Sequence, residues 1–139
     1  ILEARAAGAS AVLLIAHALR PARLLALRSF AESTGLGALV EIHDASELQD
    51  ALAAGAGIVG VNSRSLDTFA IDTGAAWALL AQVPPHCIGV AESGMATAAD
   101  VRQAADAGAD AVLIGTALSA TASPARIICD IIGVPRVGR

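Results

Sequence analysis

The chain has 139 residues and a formal net charge of −4, and it is 55% hydrophobic although only 2% aromatic. This length suits one domain, and the abundance of Ala, Val, Leu and Ile is typical of a parallel sheet buried on both faces by small-residue helices. An acidic balance without a basic cluster argues against a nucleic-acid partner, and no apolar run reaches the roughly 18 residues that span a membrane.

In chain order, the hydrophobic pattern predicts five strands separated by helices. The chain opens at Ile1 inside a helical pattern, so we expect a preceding segment in a longer protein. Strands are predicted at 11–16, 38–43, 58–62, 87–92 and 111–116, because each is a short and nearly continuous apolar run. Helices are predicted from Pro21 onwards and at 46–54, 73–81, 97–107 and 124–132, with Thr73 and Thr97 as N-caps.

An Ala-Gly-Ala triplet recurs at the end of three predicted helical segments, each time just before a strand. Its glycines are Gly8, Gly55 and Gly108, and Gly35 takes the same place in a variant, so we expect all four in the left-handed conformation that ends a helix. A strand–helix repeat of roughly 25 residues indicates parallel βα units, closed either as a doubly wound sheet or as an eight-unit TIM barrel. No G-x-G-x-x-G turn follows a strand, which favours the barrel, and five strands predict a partial α/β barrel in one domain, residues 1–139.

Two acidic residues lie near the carboxyl ends of apolar strands. Glu41 and Glu92 occupy equivalent places in different units, and in a barrel these places face the catalytic mouth. One of them could act as a base if burial raises its pKa; alternatively, each carboxylate caps a neighbouring helix or pairs with an arginine. His43 shares the strand face of Glu41, whereas His17 and His86 lie in loops, and all three are interpreted as structural or solvated histidines.

Polar residues also follow the third strand. Asn62 could orient a substrate hydroxyl, and Arg64 could bind a substrate carboxylate through a bidentate pair. The alternative is that Arg64 pairs with Asp67 or Asp72 and only fixes its own loop.

The last two strands each end at a glycine beside a hydroxyl, at Ser93-Gly94 and Gly115-Thr116. Backbone N–H groups at such turns bind phosphate, and a short helix at 117–120 would complete a barrel phosphate site. The alternative is that both are ordinary turn glycines.

The chain contains two cysteines and no lysine. Cys87 and Cys129 lack metal-ligand spacing, so we expect reduced core cysteines in a cytoplasmic protein, without a metal site. All nine basic residues are arginines, so a mechanism that needs a lysine cannot run on this chain alone.

With these residues in view, the chain resembles the indole-3-glycerol phosphate synthase family from position 1 to about 134. LVEIHD at 39–44 resembles that family's LVE(V/I)HD strand, and GVNSRSL at 60–66 resembles its G(I/V)N-x-R-x-L loop. AESG at 91–94 resembles its SESG tip, with alanine in place of the first serine. AVLIG at 111–115 resembles its final strand, with Thr116 where serine or glutamate is commoner.

The resemblance implies a carboxy-lyase of tryptophan biosynthesis that uses no cofactor. Such enzymes convert the small phosphorylated substrate 1-(2-carboxyphenylamino)-1-deoxyribulose 5-phosphate to indole-3-glycerol phosphate, carbon dioxide and water. The implied roles are Glu41 as general base, Glu92 and Asn62 as contacts to the reacting centre, Arg64 beside them, and Leu66 as support for the mouth loop. The residues implied to line the substrate or its phosphate are Ser93, Gly94, Gly115 and Thr116.

The same resemblance implies that part of the machinery lies outside this chain. The family's general acid is a lysine on the third barrel strand, and this chain resembles the C-terminal five-eighths of the barrel. We therefore expect the isolated chain to be inactive and to self-associate through open sheet edges at 11–16 and 111–116. The alternatives are a non-catalytic, self-associating phosphate-binding half-barrel and another phosphate barrel such as phosphoribosylanthranilate isomerase.

Overall fold

The computed structural model describes residues 1–138, which form one parallel five-stranded sheet with helices between successive strands. The strands are β1 (Ala11–Ile15), β2 (Gly37–Ile42), β3 (Ile58–Asn62), β4 (Ile88–Glu92) and β5 (Ala111–Leu113). The helices are α1 (Leu2–Ala6), α2 (Pro21–Ser33), α3 (Ala45–Ala53), α4 (Thr73–Leu80), α5 (Ala98–Asp106), α6 (Thr116–Ser119) and α7 (Pro124–Ile132), with a 3-10 turn at Ala16–Ala18. The strands lie side by side in chain order, whereas a doubly wound sheet reverses its order partway, so the predicted partial barrel is confirmed.

The hydrophobic core lies between one face of the sheet and the helices. Side chains alternate between the two faces of a strand, and α2, α3 and α4 contact the strands β1 to β4. The core-facing residues of the two central strands are fully buried: Val40, Ile42, Val59 and Val61.

The opposite face of the sheet is open near the amino ends of its strands. Leu13, Leu39, Ile58 and Ile88 are aligned in register across β1 to β4 on this face, and we call them the open row. Leu13 is 49% exposed and Ile88 is 48% exposed. The open row is therefore an apolar surface that the described residues leave uncovered.

The four predicted helix-ending glycines all have positive φ angles. Gly8, Gly35, Gly55 and Gly108 have φ values of 86°, 79°, 77° and 99°. Each follows a helix end, where the left-handed conformation reverses the chain into the next strand.

The helix starts follow the sequence signals with one correction. Thr97 caps α5 in a capping box, because its hydroxyl accepts the N–H of Asp100 and the Asp100 carboxylate accepts the N–H of Thr97. Thr73 is not an N-cap: it is the first residue of α4, and the Asp72 carboxylate caps the helix by accepting the N–H of Ala75. The backbone of Asp72 is not helical (φ −127°, ψ 89°), and this conformation lets its carboxylate reach a free N–H of the first helical turn.

Two further predictions need correction. The last strand ends at Leu113 and not at 116, because Gly115 is already the N-cap of α6. Cys87 is buried, but Cys129 is exposed on α7, so only one cysteine belongs to the core. Among residues 1–138, none of the helices combines the length and the apolar character needed to cross a bilayer.

Candidate functional site

The strand register brings the predicted acidic residues to one end of the sheet. Glu92 on β4 is aligned with Asn62 on β3, and Glu41 on β2 is aligned with Gly60, two residues before Asn62. These side chains share the face that carries the open row, but they lie at the carboxyl ends of the strands. We call Glu41, Asn62 and Glu92 the mouth.

Glu41 and Glu92 form a buried carboxyl pair. Glu41 is 4% exposed and Glu92 is 3% exposed. Burial, followed by repulsion from Glu41 and a hydrogen bond to it, raises the pKa of Glu92 from 4.5 to about 8. Glu92 therefore stays largely protonated near pH 7, and that proton lies in its hydrogen bond with Glu41.

The alternative structural roles of these glutamates are not seen in the described part of the chain. Neither carboxylate of the mouth caps a helix, and neither lies within ion-pair distance of an arginine. One oxygen of each is buried without a hydrogen-bond donor. Buried acceptors without donors are uncommon in folded proteins, and they are found where a ligand or a proton completes the site.

Gly60 makes room for this pair, although it is not among the site residues predicted from the sequence. A Cβ atom at position 60 would lie 1.8 Å from Oε1 of Glu92. An isolated glycine inside a strand often marks such a close approach, and that signal could have identified it.

A second set of polar residues adjoins Glu41. Nε2 of His43 lies 3.5 Å from Oε1 of Glu41, and its Nδ1 lies 3.4 Å from Oε2 of Glu47. Glu47 also contacts Nδ1 of His17 at 2.9 Å. Glu47 is not among the site residues predicted from the sequence, although Asp44 and Glu47 have the spacing of a capping box.

The loop after β3 folds back as a small hairpin. Arg64 is bridged to Ile71, its backbone N–H donates to Oδ1 of Asn62 at 3.0 Å, and its guanidinium donates to the Phe69 carbonyl at 3.3 Å. The expected alternative partners of Arg64, the two loop aspartates, do not pair with it in the part of the chain that the structure describes. Its charge therefore remains available to an anionic ligand.

A cavity of about 430 Å³ gathers most of the predicted substrate-binding residues. Apolar walls come from Ile71, Met95 and Leu113, and the polar residues in its lining include Arg64, Ser93, Gly94, Gly115 and Thr116. Asn62 and Leu66 line a separate cavity of about 300 Å³ on the side of α3. The structure thus brings five predicted residues together and places Leu66 apart from them.

The backbone at 93–94 is held in a rare conformation. Ser93 has a φ of 62°, and Gly94 has a φ of 71° with no room for a Cβ, which would lie 2.7 Å from Cγ2 of Thr73. By contrast, nothing lies within 4 Å of a Cβ built at Gly115, which borders open space in the cavity. A left-handed residue that is not glycine indicates strain, and such strain is common at binding sites.

A family profile described as indole-3-glycerol phosphate synthase matches residues 1–131. The chain belongs to the indole-3-glycerol phosphate synthase family. The indole-3-glycerol phosphate synthase of Chloroherpeton thalassium is 52% identical over 118 residues, which cover 85% of this chain and 45% of that protein. The synthase of a Parafrankia species is 46% identical over 132 residues, covering 95% of this chain and 49% of that protein. The chain therefore spans about half the length of the curated indole-3-glycerol phosphate synthases that it matches.

Solved structures support the fold of this synthase-family chain. A 3-hexulose-6-phosphate synthase superposes with a TM-score of 0.76 at 21% identity, over 93% of this chain and 63% of the other. A thiamine phosphate pyrophosphorylase from Pyrococcus furiosus superposes with a TM-score of 0.74 at 17% identity, over 94% of this chain and 61% of the other. At these identities the likeness establishes the α/β barrel architecture alone.

Proposed function

We propose that this chain supplies the base and the phosphate-binding end of an indole-3-glycerol phosphate synthase. In this proposal the enzyme is a cytoplasmic, cofactor-independent carboxy-lyase of tryptophan biosynthesis. It converts 1-(2-carboxyphenylamino)-1-deoxyribulose 5-phosphate to indole-3-glycerol phosphate, carbon dioxide and water. The observation that carries the proposal is the buried carboxyl pair of Glu41 and Glu92, together with the cavity of about 430 Å³ whose lining begins at Ser93, the residue after Glu92.

Each part of the site has one role in this proposal. The phosphate binds between Ser93-Gly94 and Gly115-Thr116, where backbone N–H groups can approach an anion closely. Arg64 binds the substrate carboxylate, and the apolar cavity walls contact the aromatic ring. In this proposal the reacting carbons of the substrate lie against the mouth.

The carboxyl pair carries the proton chemistry. In the final dehydration, after the new carbon–carbon bond has formed and carbon dioxide has left, Glu41 removes a proton from the CH2 carbon beside the nitrogen. The hydroxyl group on the neighbouring carbon takes a proton from the general acid and leaves as water. Glu92 retains its proton near neutral pH, so it can donate a hydrogen bond to a substrate oxygen, and Asn62 lies beside it in register. No lysine is present in the chain, so the family's lysine general acid has to come from outside these 139 residues.

The test is to join this chain to the N-terminal half of the Chloroherpeton synthase and to follow the product by indole fluorescence. We call this fusion the joined enzyme. We expect turnover by the joined enzyme and none by the isolated chain, because general acid catalysis alone typically contributes about 10²–10⁴-fold. Glu41→Gln should lower kcat by at least about tenfold, while Glu3→Gln, on the exposed side of α1, should leave it unchanged.

The open row favours a second property of the isolated chain. Half-exposed Leu13 and Ile88, and Leu113 at 50% exposure on the edge strand, form an apolar surface between unprotected sheet edges. We propose that the isolated chain, as one partial barrel domain, self-associates through this surface. Light scattering after size exclusion at micromolar concentration tests it, and a stable monomer would contradict it.

A further inference from the structure

His43 lies between two carboxylates without a full hydrogen bond to either. Its Nε2 is 3.5 Å from Oε1 of Glu41 and its Nδ1 is 3.4 Å from Oε2 of Glu47, and neither ring nitrogen has a partner of good hydrogen-bond geometry. The ring is only 16% exposed. An imidazole in this place can accept a proton from one side while a negative charge faces its other side.

Glu47 is fixed by contacts at both of its oxygens. Oε2 accepts the backbone N–H of His43 at 2.6 Å, and Oε1 lies 2.9 Å from Nδ1 of His17. The residue is in the first turn of α3 and is 7% exposed, and the side chain of Asp44 accepts its backbone N–H. A buried carboxylate held in this way keeps its orientation towards the imidazole of His43.

Solvent can reach this group without passing through the substrate cavity. His43, Glu47 and His17 line the cavity of about 300 Å³, which has room for roughly ten water molecules at about 30 Å³ each. It shares none of its lining residues with the cavity that holds the phosphate site in our proposal.

Carboxylates line the cavity beside His43, and the ring of His17 lies 6.2 Å from the ring of His43. A hydrogen bond with Glu47, and then its charge, raise the pKa of His17, and Asp67 and Asp44 add to the shift. The ionisable groups that line the cavity beside the two histidines are Asp44, Glu47, Asp67 and Asp72, and no arginine lines it within the described residues. The cavity is therefore lined by carboxylates that can pass a proton from this group to water.

We propose that His43 and Glu47 are positioning residues that return the carboxyl pair to its working protonation state after each turnover. The inference rests on the proposed function. The proton taken up by Glu41 moves from its carboxyl oxygen to Nε2 of neutral His43, so one O–H bond breaks and one N–H bond forms. The imidazolium then passes its Nδ1 proton to Oε2 of Glu47, so that N–H bond breaks and an O–H bond forms. Glu47 lines the cavity and releases the proton to water there, and a turn of the imidazole ring restores the starting tautomer.

The contacts are tested first, by an experiment that needs no activity. Histidine ring ¹⁵N signals of the full chain are recorded for the wild type, Glu41→Gln and Glu47→Gln. We expect Glu41→Gln to shift Nε2 of His43 and Glu47→Gln to shift its Nδ1, each without moving the signals of exposed His86. Ring ¹⁵N chemical shifts of His43 that stay unchanged in both variants would overturn the proposal.

Proton transfer is tested in the joined enzyme through its pH profile. We expect His43→Gln to lower kcat by at least about tenfold with KM changed less than about threefold, and to alter the pH dependence of kcat. Added imidazole should restore part of the activity of His43→Ala, since a free base can replace a proton acceptor but not a structural contact. Glu47→Gln should lower kcat less, Glu47→Asp should recover part of that loss, and His86→Gln should match the wild type.

The outcomes separate this inference from the proposed function. A joined enzyme without any turnover would refute the proposed function, and with it the role of His43 in turnover. The joined enzyme could instead be active while its His43→Gln variant keeps a wild-type kcat, or while imidazole restores no activity to His43→Ala. Either result would refute the inference and leave the proposed function intact.

Discussion

The two ends of the same sheet face reverse the usual distribution of side chains. At the mouth, Glu41 and Glu92 are ionisable groups that are almost completely buried, whereas in the open row Leu13 and Ile88 are large apolar groups that are half exposed. The two ends lie only a few residues apart on the same strands. Burying an ionisable acid costs free energy of folding, and such groups are found mainly at functional sites. A large exposed apolar surface usually marks a place that another surface covers. The mouth therefore indicates a ligand, and the open row indicates a protein surface.

The largest expected effect comes from filling the space that Gly60 leaves at the mouth. Gly60→Ala places a Cβ against Oε1 of Glu92, so the carboxyl group has to swing away and the pair separates. We expect kcat of the joined enzyme to fall by about a hundredfold, because the pair loses its shared proton. Gly57→Ala is the matched control, since nothing lies within 4 Å of a Cβ there. Equal activity of the two variants would contradict the role of the pair.

The pH dependence of the free energy of unfolding measures the effect of burying the Glu92 carboxyl group at the mouth. The pKa of Glu92 is raised from 4.5 to about 8, so the folded chain holds a proton that the unfolded chain has released between these values. The free energy of unfolding should therefore fall as pH rises from about 4.5 to about 8, by at most about 1.4 kcal/mol per pH unit. Urea unfolding at several pH values measures it. Glu92→Gln should flatten this dependence, and Glu3→Gln should retain it.

Backbone strain distinguishes the Ser93-Gly94 turn, where we propose that the phosphate binds, from ordinary turns. Gly94→Ala combines a positive φ with a Cβ 2.7 Å from Cγ2 of Thr73, so we expect a loss of roughly 1–3 kcal/mol in the free energy of unfolding. Gly74→Ala, inside α4 with its nearest contact at 3.5 Å, should instead be neutral or stabilising by up to about 1 kcal/mol. Similar unfolding midpoints for the two variants would show that the Gly94 turn is unstrained.

The smallest effect on stability is expected in the open row. Leu13→Lys places a charge on a half-exposed position of the edge strand, so the free energy of unfolding should change by no more than about 0.5 kcal/mol. Self-association of the isolated chain should weaken clearly, because a charge on an edge strand opposes pairing. Ile132→Lys, at a 79% exposed position of α7, is the control that should leave the assembly unchanged. Light scattering compares the two.

Local chemistry explains which parts of the fold could be predicted. The strands and the left-handed glycines depend on apolar periodicity and on backbone freedom at single positions, and both are visible in the sequence. The N-cap of α4 was misassigned because Asp72 and Thr73 are adjacent caps, and the choice between them depends on backbone geometry. The end of β5 was misplaced because its last apolar residues run directly into a helix start.

The sequence by itself determined the alternating strands and helices, the family and the residue types of the site, because these follow from pattern and motif. Only the tertiary structure decided that Glu92 shares its space with Gly60 and Glu41, that Arg64 joins the glycine-lined cavity while Leu66 does not, and that Glu47 reaches His43. Strand register and burial set these distances and the pKa of Glu92, and both depend on neighbours that are remote in the chain.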